Sequence, residues 1–305
     1  MCGLFGFSRY GENDIKDLSG LTNALARQSA VRGTDATGIA VCDKGQIKIV
    51  KESKTAYDIK FRHKDNVRAL TGHTRHSTQG SEKRNYNNHP FYGKAGDTNF
   101  ALAHNGVLMN DRELRRDLPL PKTKIETDSY IAVQLLEKEK ELTLGSLKYM
   151  AETVEGSFSF SLLDDKDNIY LVKGDSPITL LHFPKQQMYV YASTDNILYK
   201  ALVDSPLFLD MKLGRYEELF LKTGDILRID RDGQTQKGNF EYKYSYGRNW
   251  WDFGAFDYSF GKADNEYVDC LKTAAGCEGY TPDEIDYLIE QGFTLDEIED
   301  YIYNQ

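Results

Sequence analysis

Two pairs of short β-prone runs, each pair split by a polar turn, most constrain how this chain can fold. Runs 37–42 and 46–51 flank Asp43-Lys44-Gly45, and runs 157–163 and 169–173 flank an Asp-rich stretch. Strand-forming residues on either side of a tight polar connection read as hairpins, hence antiparallel sheet. Helical patterns at 14–31, 111–118, 128–138 and 144–154 lie between them, the third with Ile131, Leu135 and Leu136 on one face. Hairpins interleaved with helices of this length predict helices layered on antiparallel sheets, an α+β architecture.

With 305 residues, 40 % of them apolar, the chain has enough material for one large or two modest domains. Composition divides it into a body at 2–235, an aromatic-rich extended segment at 236–264 and an acidic helical tail at 265–305. The aromatic segment fits either a stretch packed across the body or a platform for a partner. In the tail, Thr281-Pro282-Asp283-Glu284 and Thr294-Leu295-Asp296-Glu297 are capping boxes, so two short helices are expected, too small to fold alone.

The net charge of −9 is concentrated in the tail, where residues 264–305 hold 12 acidic residues and one lysine. The rest is near neutral, so no nucleic-acid partner is expected. No run of about 18 apolar residues or signal-like opening is present, which leaves no expected membrane span and a cytoplasmic setting. Cys2, Cys42, Cys270 and Cys277 are too few and scattered for a disulfide scaffold. His63, His73, His89, His104 and His182 lack metal-ligand spacing and read as hydrogen-bonded or exposed, with no metal or other cofactor expected.

Cys2 is the residue with chemistry to offer. Removal of Met1 would leave a thiol and an α-amine on one residue. The amine's reference pKa of about 7.7–8.0 lets it accept the thiol proton near neutral pH, directly or through one water. Alone, Cys2 could equally be an inert small side chain.

The blocks around it decide the matter. The opening Met-Cys-Gly-Leu-Phe-Gly is followed by Arg32-Gly33-Thr34-Asp35-Ala36-Thr37-Gly38-Ile39-Ala40 and by Gly72-His73-Thr74-Arg75-His76-Ser77-Thr78-Gln79-Gly80. His89-Pro90, Ala103-His104-Asn105-Gly106-Val107 and Glu126-Thr127-Asp128-Ser129 come next. Glu155-Gly156-Ser157-Phe158, Ser176-Pro177, Ala192-Ser193-Thr194-Asp195 and Gly224-Asp225-Ile226 complete the series. In this order the blocks resemble those of the class II, N-terminal-nucleophile glutamine amidotransferases, a family that includes glucosamine-6-phosphate synthase and amidophosphoribosyltransferase. The likeness covers about residues 2–233.

The resemblance implies a four-layer αββα sandwich with a small helical C-terminal appendage. It also implies hydrolysis of the glutamine side-chain amide through a Cys2 thioester, giving glutamate and ammonia. By the same likeness Asn105 and Gly106 supply the oxyanion donors, and Arg75 grips the substrate α-carboxylate, its planar fork suiting two parallel bonds. Asp128 would hold the α-ammonium, Ser77 and Thr78 would line the glutamine pocket, and Arg32 with Asp35 would shape the loop over Cys2. Out of context, Arg75 would be a surface ion pair, Asp128 a helix N-cap, and Asn105-Gly106 a turn; here Asn105-Gly106 is expected to be both turn and oxyanion hole. His76 and Gln79 depart from the family pattern, which usually has an aromatic and, in sugar-phosphate aminating members, a histidine.

No Gly-rich phosphate loop or second strand set follows the body. The expected partners are therefore free glutamine and a separate ammonia-accepting synthase, with the oligomeric state open. A stand-alone hydrolase of another γ-glutamyl or amide compound, or a non-catalytic binding protein on the same fold, are the alternatives.

Overall fold

The computed structural model describes residues 2–11, 13, 15–203, 205–243 and 280–290, with single positions 268, 271, 272, 275, 298 and 302. Met1–Ser193 with Ile197–Tyr244 form one unit, and Thr194–Asn196 with Ser245–Gln305 a second.

The first unit is built on two antiparallel sheets. One has seven strands in the order β11-β9-β10-β1-β4-β2-β3, namely Glu217–Glu218, Thr179–Phe183, Met188–Ala192, Gly3–Arg9, Ala69–Arg75, Ala36–Asp43 and Gln46–Glu52. The other runs β13-β12-β8-β7-β6-β5, namely Thr235–Asn239, Asp225–Ile229, Ile169–Lys173, Gly156–Asp164, Thr98–Leu108 and Phe91–Ala95.

Three apolar layers join these sheets to helices and to each other, giving the four-layer αββα arrangement of an α+β fold. Leu18, Leu21 and Leu25 of α1 (Leu18–Ser29), with Leu198 and Leu202 of α5 (Asp195–Val203), cover Phe5, Phe7, Leu70 and Val190 of the seven-stranded sheet. Ile131, Leu135 and Leu136 of α3 (Tyr130–Glu139), with Leu147 and Met150 of α4 (Leu144–Thr153), cover Phe100, Phe158, Phe160 and Val172 of the six-stranded sheet. Leu4, Ala40 and Ala69 meet Ala101, Ala103, Leu163 and Leu171 between the sheets.

Period-2 alternation produces this layering. On β7, Phe158, Phe160 and Leu162 join the helix-side core, while Leu163 lies between the sheets and Ser161 Oγ bonds Thr71 Oγ1 across them. Small side chains on the inner columns let the sheets approach and give the layer near β4 a polar character.

Both expected hairpins form, as β2–β3 and β7–β8. Two helices start later than their apolar pattern suggests. Asp17 caps α1 by accepting from Gly20 N at 2.9 Å, and α1 therefore opens at Leu18 rather than at 14. α3 opens at Tyr130 with Ser129 at its N-cap, because the Asp128 carboxylate turns away to the β6 end. The six-stranded sheet also continues past 235: β13 is a polar, mostly exposed edge strand that hydropathy does not reveal, and Phe240 and Tyr242 beyond it pack on Phe158.

In the second unit, the first capping box closes as expected. Thr281 N donates to Glu284 Oε2 at 2.7 Å and Glu284 N to Thr281 Oγ1 at 3.4 Å, opening α7 (Pro282–Glu290). The second box, Cys270, Cys277 and most of the aromatic segment lie outside the described residues. Among the described residues no helix is long and apolar enough to cross a membrane.

Candidate active site

Cys2 immediately precedes β1, the strand between β10 and β4. Its backbone is fixed from both sides. Gly3 pairs with Thr74 of β4, and Leu4 N donates to Ser193 Oγ at 2.8 Å while Ser193 N returns a bond to Leu4 O at 2.9 Å. Arg32 Nε donates to the Cys2 carbonyl at 2.9 Å. The Ala192-Ser193 block thus has a physical use, since it ties down the first residues of β1.

The thiol is nearly enclosed, 9 % exposed, and sits on the main chain of His76: His76 N donates to Sγ at 3.4 Å, and Sγ lies 3.4 Å from His76 O. Burial pushes the thiol above its ordinary value of 9.0, Asp128 adds to this, and the His76 N–H and the Arg75 charge oppose it. At neutral pH the sulfur is therefore a thiol awaiting a base, which fits a mechanism that supplies one.

Arg75 ends β4 and is 2 % exposed, so it is no surface ion pair. Its Nη1 donates to Asn88 Oδ1 at 2.7 Å, and its Nη2 to the carbonyls of Gln79 and Gly80, each at 2.7 Å. Burial pulls its pKa down, and the negative charges of Asp35 and Asp128 pull it back up, which places these carboxylates within electrostatic reach of it.

Asp128 is 4 % exposed and accepts from Leu108 N at 2.6 Å and from Ser129 Oγ at 3.3 Å. It is not a helix cap: its carboxylate anchors the end of β6. Asp35 accepts from Ser77 N at 2.7 Å and donates its own N–H to Arg75 O at 3.0 Å, so it holds the start of the segment after β4. The Ser77 hydroxyl is buried without a partner, and Thr78 beside it is exposed.

Asn105 and Gly106 correct one expectation. They form no turn but lie inside β6, opposite Ser159 and Phe158 of β7. Gly106 has φ +129°, and a Cβ there would stand 2.1 Å from Ser157 O, so only glycine fits this kink within a strand. Asn105 is 0 % exposed, yet neither amide atom has a partner. A buried carboxamide left unpaired is costly, on the order of 1–3 kcal/mol, and such groups mark places where a ligand supplies the missing bond.

The histidines divide. His63, His73, His104 and His182 are hydrogen-bonded as expected. His89 is neither bonded nor exposed: it is 3 % accessible, both ring nitrogens lack partners, and its ring packs tilted against His73 and Phe91, centroids 4.1 and 4.4 Å away. It is held as an apolar ring, a use its residue type does not signal. Burial drives His73 down to about 3 and lowers His89 and His104, so all three are neutral at pH 7.

Sequence reasoning missed the His76 main chain, whose contacts carry no residue-type signal, and Asn88, which had no distinguishing pattern beyond its place before His89-Pro90. Gln79, noted only as a departure, donates to Glu126 O at 2.9 Å and so ties the segment after Arg75 to that before Asp128.

Residues 73–200 match the family described as a glutamine amidotransferase domain. The chain is similar to glutamine–fructose-6-phosphate aminotransferase (isomerizing) of Geobacillus kaustophilus, 32 % identical over 186 residues, covering 58 % of this chain and 30 % of that one. The enzyme of the same name from Streptococcus agalactiae is 33 % identical over 189 residues, with 59 % and 30 % covered. The chain thus spans about a third of the length of these relatives. In fold it resembles glutamine phosphoribosylpyrophosphate amidotransferase from B. subtilis, with a TM-score of 0.62 at 20 % identity, covering 79 % of this chain and 50 % of that one. A structure described as the allosteric regulatory enzyme of purine biosynthesis gives 0.61 at 19 % identity, with the same coverage.

Proposed function

We propose that this chain, which matches a glutamine amidotransferase domain over residues 73–200 and shares the fold of an amidotransferase, is of the class II, N-terminal-nucleophile kind, hydrolyses the side-chain amide of free glutamine through Cys2 and passes the ammonia to an acceptor on a separate synthase. The observation that carries this reading is the fully buried Asn105 carboxamide with no partner for either atom, next in sequence to a glycine that the strand could not replace.

With Met1 removed, the α-amine of Cys2 takes the thiol proton and the sulfur attacks the glutamine side-chain carbon. Asn105 Nδ2 and Gly106 N–H donate to the oxyanion, each such donor contributing ~10²–10³ in rate. The C–N bond breaks and the nitrogen leaves with the amine's proton as ammonia. Water then adds to the thioester, releasing glutamate and restoring the thiol. Arg75 attracts the α-carboxylate and Asp128 the α-ammonium, with Ser77 and Thr78 beside them, while Arg32 and Asp35 hold the Cys2 carbonyl and the segment that follows Arg75. A cytoplasmic setting suits the free thiols of Cys2 and Cys42.

Intact mass together with glutamate release, comparing the protein with Cys2→Ala, tests the reading. The expected result is loss of Met1 and glutamate formation only with Cys2 present. Retained Met1 with no glutamate, even in mixed cell extract, would leave a binding protein on this fold. Activity on blocked glutamine derivatives would point to a different hydrolase, and stimulation by a co-purifying protein would identify the acceptor.

A further inference from the structure

We propose that Asn88 is a positioning residue that aims the Arg75 guanidinium at the substrate carboxylate; the inference rests on the glutamine reading above. Asn88 lies on the short bridge that carries the chain from the 3₁₀ turn Asn85–Asn87 into β5, from one sheet to the other. It is 0 % exposed.

Its carboxamide is saturated in one orientation. Oδ1 accepts from Arg75 Nη1 at 2.7 Å, and Nδ2 faces three acceptors: Glu82 O at 2.8 Å, Asn85 Oδ1 at 3.1 Å and Ser53 Oγ at 3.3 Å. Flipping the amide would turn its N–H groups against a cation, so charge fixes its sense. The backbone is equally fixed. Lys51 Nζ donates to Asn88 O and, at 3.0 Å, to Pro90 O, while its ammonium lies 5.0 Å from the Phe91 ring centre. Gly38 packs under the bridge so closely that a Cβ there would meet His89 O at 2.2 Å.

A rigid neutral acceptor does for Arg75 what a carboxylate could not. It sets the plane of the guanidinium without adding a further negative charge to those of Asp35 and Asp128, so positive charge stays available to an anionic ligand. Asn88, Gln79 and Gly80 accept three of the five N–H groups of Arg75; Nε–H and one Nη1–H remain on different edges of the guanidinium, so the substrate carboxylate is met by the charge and a single N–H rather than by a two-bond fork.

The test compares glutamine with its α-amide, which lacks the carboxylate, in the full chain and in Asn88→Ala and Asn88→Asp. For both variants KM for glutamine is expected to rise at least ~10-fold with kcat within ~3-fold, the first through lost orientation and the second through neutralised charge. kcat/KM for the α-amide should stay level, a split that general structural damage would not produce. The isosteric Asn88→Asp carries the expectation where the alanine variant fails to fold. An unchanged KM, or a parallel loss on both substrates, overturns the proposal while leaving the glutamine reading intact. Absence of Cys2-dependent glutamate release by the unaltered protein overturns both.

Discussion

Gly106 and Cys2 give the sharpest expectations for single residues. Gly106→Ala must place a Cβ on the Ser157 carbonyl at a φ that L residues avoid, so it should lower stability by ~2–4 kcal/mol and abolish glutamate release. Chemical denaturation beside an activity assay checks both, and an active, stable variant would remove Gly106 from the site. Because burial raises the Cys2 thiol above 9.0, iodoacetamide should alkylate it more slowly at pH 7 than free cysteine. The rate should then climb about tenfold per pH unit between 7 and 9. Rapid labelling at pH 7 would mean that a neighbouring charge overrides the burial.

Pairs and layers of residues act at the scale of elements. At the β7–β8 turn, Asp164 is 1 % exposed and accepts from Lys166 N, Asn168 N, Asn168 Nδ2 and Tyr170 OH at 2.7–3.0 Å. Asp164→Ala strands these donors and should cost ~2–4 kcal/mol by denaturant midpoint without changing KM for glutamine. The buried histidines give stability a pH dependence. Their folded pKa values lie below the unfolded ~6.5, so the stability present above pH 6.5 is lost as pH falls toward the folded values. The slope is up to ~1.4 kcal/mol per pH unit for each histidine. His89→Leu, which removes only a ring without polar partners, should flatten that slope in unfolding curves taken between pH 6.5 and 4. The two hairpins and four helix runs were legible because apolar period and turn chemistry agree there. β13 was not, since an exposed edge strand has no apolar face to display. The Asn105-Gly106 pair reads as a turn but lies inside a strand, because positive φ within a strand has the same sequence signature as positive φ in a hairpin loop. Of the site, Cys2, Arg75 and Asp128 were legible as types in blocks, whereas main-chain contacts such as those of His76 are invisible to residue identity.

On the scale of the whole molecule, every residue of the candidate site lies in the unit of Met1–Ser193 and Ile197–Tyr244. A chain ending at Tyr244 should therefore fold and release glutamate in a Cys2-dependent way, while losing any stimulation by a synthase that docks on residues 245–305. Circular dichroism and the glutamate assay, with and without the co-purified protein, check this, and an unfolded or inactive fragment would show that the acidic end is needed for the fold itself.

The position of β1 between β10 and β4 has a consequence in time. Cys2 is synthesised long before residues 188–192, which form the strand that flanks β1 on one side. At ~5–20 residues per second, on the order of ten seconds or more separates the two during synthesis. A nascent chain thus carries the Cys2 sulfur without the sheet that encloses it, and the proposed glutamate release is expected to begin only when a distant segment closes that sheet. Pauses in translation before residue 188 would lengthen the interval in which that sulfur is open to oxidation rather than to substrate.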